Sequence, residues 1–67
     1  MYATLSTSEL LKLINRAEEA YSKSPSAIAQ RMRVAAMRKM VEDFRKISPQ
    51  KPITITLEDH VLLADLP

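Results

Sequence analysis

Arg31, Arg38 and Arg45, spaced seven residues apart, carry the clearest chemistry in this chain. Two turns of α-helix return a side chain to nearly the same face, so these arginines, with Lys39 and Lys46 beside them, would form a stripe about 20 Å long. Such a stripe neutralises phosphates or meets an acidic protein surface. No aromatic residue interleaves with it, which speaks against base stacking on RNA or single strands. Glu42, four residues after Arg38, would balance part of the charge, and an ordinary solvated face is the competing reading.

Catalysis has little to draw on. His60 is the only histidine, and adjacent Glu58 and Asp59 would point elsewhere on a helix. The serines fall at helix caps and turns with no base in register. The chain has no cysteine, which removes disulfides and thiolate zinc sites, and no glycine, which removes phosphate-cradling loops. A non-enzyme without cofactor or metal is expected.

The elements that would position these residues are legible in part. Ser6-Thr7-Ser8-Glu9 is a capping box, with Leu5 and Leu10 placed as a hydrophobic staple. Leu10, Leu13, Ile14, Ala17, Ala20 and Tyr21 then share one face, predicting a helix over about 7–22. Ser24 suits an N-cap and Pro25 the first helical position, predicting a second helix over about 25–47 and an antiparallel hairpin.

On this second helix Ala29, Val34, Ala36, Met37, Met40, Val41 and Phe44 fill an apolar arc of roughly 160°, wider than one neighbour needs. Ile28, Met32 and Ala35 extend it sideways. Arg33 lies near the middle of the arc and is expected to snorkel outward, in preference to pairing with Asp59 or Asp65. The stretch from Ala27 to Val34 superficially resembles a helix-turn-helix. Arg33 at the turn and Lys39 at a buried aliphatic position argue against it.

Pro49 and Pro52 end the second helix. Ile53-Thr54-Ile55-Thr56 alternates and is wholly β-branched, predicting a strand that would need an edge from another chain. Thr56 caps a last helix over about 57–66, with Glu58 and Asp59 in its first turn. The expected fold is therefore mainly α: a helical hairpin with a C-terminal strand and terminal helix, in a dimer.

Charge divides the chain in the same places. Net charge is −1 over residues 1–22, +6 over 23–51 and −3 over 52–67, giving +2 in all. With 67 residues there is room for one domain and a small core, so association with a second copy is the expected remedy. No apolar run approaches a membrane span, and a soluble cytoplasmic chain is expected.

The function expected is protein–protein interaction, as a small regulator, inhibitor or adaptor that occupies a partner's surface. The apolar contacts assigned to it are Met37, Val41, Ile53, Ile55, Leu57, Val61, Leu62 and Leu66, mostly in the proline-bounded tail 48–67. The alternative is a nucleic-acid-binding regulator or antitoxin using Arg31, Arg38, Lys39, Arg45 and Lys46.

Overall fold

The computed structural model describes residues 1–67 in the order β1 (Tyr2–Leu5), α1 (Thr7–Ser22), α2 (Ile28–Ile47), β2 (Ile53–Thr56) and α3 (Leu57–Ala64). The chain is mainly helical, with one two-stranded antiparallel sheet.

α1 begins where the capping box places it. The Ser6 hydroxyl accepts from the Glu9 amide at 3.1 Å, and itself donates to the Glu9 carboxylate. The carboxylate thus accepts from the Ser6 hydroxyl, in place of the Ser6 amide that a capping box offers it. Leu10, Ile14, Ala17 and Tyr21 line the buried face of the helix.

α2 starts three residues later than expected. Ser24 and Pro25 open a turn in which the Ala27 amide donates to the Ser24 carbonyl at 3.1 Å. Ser-Pro is as good a turn opening as a helix start, and here the turn tucks Ala27 into the core. The helix then runs without a break through Arg33 to Ile47, so no helix-turn-helix forms. α1 and α2 pack on one another as a helical hairpin across residues 23–27.

β2 finds its edge within the chain, which corrects the expectation of a partner strand from elsewhere. Tyr2 pairs with Thr56, Ala3 with Ile55, Thr4 with Thr54 and Leu5 with Ile53. Ala3, Leu5, Ile53 and Ile55 face the core, while the Thr4 and Thr54 hydroxyls meet at 3.1 Å on the outer face. The Leu57 amide extends the ladder by donating to the Met1 carbonyl. β1 has no counterpart among the elements expected from the sequence.

α3 follows directly, capped by the Thr56 hydroxyl, which accepts from the Asp59 amide at 3.1 Å. Its Leu63 is fully buried, and the helix packs mainly on α1. The Tyr21 hydroxyl donates to the Leu62 carbonyl at 2.6 Å, joining α1 to the last turn of α3. The core therefore draws on every element: Leu10, Ile14, Ala17 and Tyr21 from α1, Val34, Met37 and Val41 from α2, Ile53 and Ile55 from β2, and Leu63 from α3, with Ala3 and Leu5 of β1 packed beside them.

Candidate interaction surfaces

The cationic stripe is interrupted at its centre. Arg38 turns toward α1, where its Nε donates to Glu18 at 2.9 Å and its Nη2 donates to Glu18 and Asn15. This hydrogen bond to Glu18 raises the Arg38 pKa above its already high ordinary value. Partial desolvation opposes the shift, and the charges of Glu18 and Glu42 add to it. Arg38 is thus a strut between the two long helices. Lys39 is fully on the surface and pairs with Asp43 one turn on, at 3.3 Å. Arg31, Arg45 and Lys46 are exposed and take part in no ion pair.

Arg33 does not simply snorkel outward. It donates to Asp59 at 2.7 Å, tying α2 to the first turn of α3. The weaker sequence expectation thus describes the position. The reason is tertiary, because α3 docks beside this flank of α2 and supplies a carboxylate.

The apolar residues assigned to a partner divide into three groups. Met37, Val41, Ile53 and Ile55 are buried in the chain's own core, so they have little surface to offer. Leu62 and Leu66 are half-buried against it. Leu57 and Val61 remain exposed. Residues 53–64 fold back on β1 and α1 in the same chain, so most of the assigned tail 48–67 is spent on folding.

The surplus apolar surface lies elsewhere. Ala29, Ala36 and Met40, members of the wide apolar arc, are exposed, as is Ile47. Ile28, Met32 and Ala35 form the wall of an open groove of about 560 Å³, completed by Arg31 and by Glu18 of α1. Arg33, Ala36, Met37, Met40 and Asp59 line a shallower groove of about 260 Å³ on the flank toward α3. The sequence carried the signal for this surface in the width of the apolar arc. It could not show which edge α1, α3 and the sheet would leave uncovered.

His60 is half-buried, and no three His, Asp or Glu side chains converge as a metal ion would require. No helix is long and apolar enough to cross a membrane. No family model, no curated protein and no solved structure matches the chain.

Proposed function

We propose that this chain is a small non-enzymatic interaction protein that acts by occupying a partner protein's surface. The observation that carries the proposal is the exposed apolar surface. Met1, Tyr2, Ile28, Met32, Met40, Ile47, Leu57 and Val61 all face solvent in a chain with only 12 buried residues. Single exposed apolar side chains are ordinary, but a contiguous group lining a groove marks an interaction site. Ile28, Met32 and Ala35 form such a group on α2. The flexible thioether of Met32 suits a surface that adapts to a partner, and Arg31 and Glu18 at the rim supply orientation.

The dimer expected from the small size of the chain belongs to the same reading. Two copies would cover part of this surface and leave the rest for the partner. The nucleic-acid alternative rests on Arg31, Arg45 and Lys46, because Arg38 is engaged with Glu18 and Asn15 and Lys39 with Asp43. Three cations, with a gap between Arg31 and Arg45, give a sparser and weaker phosphate track than five.

Affinity capture from the native host's lysate, with and without nuclease, tests the proposal. A stoichiometric protein that survives nuclease and is lost with Met32→Glu supports it. Recovery of nucleic acid alone overturns it in favour of the cationic residues.

A further inference from the structure

We infer that the outer flank of α2 is a self-complementary seam on which a second copy of this chain docks, with the two α2 helices antiparallel. Ala29, Arg33, Ala36, Met40, Asp43 and Ile47 follow one another at spacings of four, three, four, three and four. That alternation is the spacing of a coiled-coil seam, and here it runs for about 27 Å along one flank of the helix. All six residues are exposed in the folded chain, and α3 meets the seam at one edge, where Asp59 holds Arg33.

The occupant is written in the order of the residues. The spacing reads the same in both directions, symmetric about position 38. A two-fold axis there sets Ala29 against Ile47 of the second copy, Ala36 against its Met40, and Arg33 against its Asp43. Each of these layers occurs twice. Two layers set a small side chain against a large one, which lets facing helices interdigitate. The third sets a cation against an anion. The spacing alone would suit any helical partner; what selects a second copy is that the residues the axis brings together complement one another in size and charge.

The local chemistry agrees with this pairing. Arg33 uses one nitrogen on Asp59 and keeps further donors for a second carboxylate. The groove of about 260 Å³ beside Ala36 is bounded by Arg33, Met37, Met40 and Asp59, and it would receive Met40 of the second copy. Lys39 flanks the seam but is already paired with Asp43, which would then lie between Lys39 and the second copy's Arg33. The groove of Ile28, Met32 and Ala35 lies on the neighbouring face of α2. This assignment rests on the dimer in the reading above and is independent of the protein partner.

Sedimentation equilibrium of the purified chain at up to about 1 mM tests it. The wild type should be a dimer. Arg33→Glu and Asp43→Arg should each weaken association by about tenfold or more, because each sets like charges together in two layers. An equimolar mixture of the two variants should dimerise again, since each then offers the charge the other lacks. Ala36→Glu lies outside the core and should leave helicity unchanged while giving a monomer. It keeps the test decisive if loss of the Asp59 pair unfolds Arg33→Glu. A monomeric wild type would overturn both the dimer and the seam. A dimer indifferent to Ala36→Glu and Asp43→Arg would overturn the seam alone.

Discussion

Replacing Tyr21 by Phe isolates one of the contacts that hold α3 to the helical hairpin, beside the Arg33–Asp59 pair and buried Leu63. The ring is buried at 6% exposure, and its hydroxyl donates to the Leu62 carbonyl at 2.6 Å. Leu62 lies in the last turn of α3, where a carbonyl has no amide one turn further on within the helix. Phenylalanine keeps the ring packing and removes only this donor. A net hydrogen bond contributes about 0.5–1.5 kcal/mol, and an orphaned acceptor costs about 1–3 kcal/mol. The site is only partly buried, so water regains some of the carbonyl, and the expected loss is about 1–2 kcal/mol. Domains have about 0.05–0.15 kcal/mol of stability per residue, so this chain of 67 residues has roughly 3–10 kcal/mol to lose from. Tm should fall by roughly 4–16 °C. Urea unfolding should show a lower midpoint at unchanged m, with faster amide exchange in α3 than in α1. A change under about 0.3 kcal/mol, with α3 exchange unaltered, would refute the claim that this bond anchors the last helix.

Other predictions test the remaining joints. Leu63→Ala empties a fully buried site and should cost about 2–5 kcal/mol in urea unfolding, whereas Val61→Ala on the exposed side of α3 should change stability by under about 0.5 kcal/mol. A double-mutant cycle of Arg38→Ala with Glu18→Ala should give a coupling of only about 0.5–1 kcal/mol, because both side chains are partly solvated. Since the folded-state pKa of Arg38 is raised, its contribution is full below the ordinary guanidinium value and is lost only as pH rises through the higher one. That coupling should therefore be the same at about pH 7 and about pH 10. Titration of labelled duplex DNA at about 50 and about 200 mM salt should show weak binding with a shallow slope, and a loss of about 10³-fold between them would favour the nucleic-acid reading.

Elements fixed by local chemistry were legible in the sequence. Ser6 with Glu9, and Thr56 with Asp59, cap α1 and α3 where the cap residues stand, because capping involves neighbours only a few positions apart. β2 was legible because Ile53 to Thr56 is β-branched throughout. β1 was not, because Tyr2 to Leu5 contains Ala and Leu and only one β-branched residue, and its partner lies about fifty residues away in the chain. The start of α2 was misplaced because Ser24-Pro25 serves a turn as well as a cap.

The candidate surface was harder to place for the same reason. A helical wheel puts Ala29, Ala36 and Met40 in one apolar arc with Val34, Met37 and Val41. Which part of that arc is covered depends on where α1 and α3 dock. The engagement of Arg38 by Glu18 and Asn15, and of Arg33 by Asp59, likewise exists only once the helices are brought together.

The central question is whether the uncovered apolar face of α2, and not its cations, makes the biological contact. The direct measurement is a capture from host lysate with three baits: wild type, Met32→Glu, and a chain with Arg31, Arg45 and Lys46 all changed to Gln. The account predicts that one protein is retained by the wild type and the Gln-substituted chain and is lost with Met32→Glu. Retention by Met32→Glu together with loss from the Gln-substituted chain would contradict it.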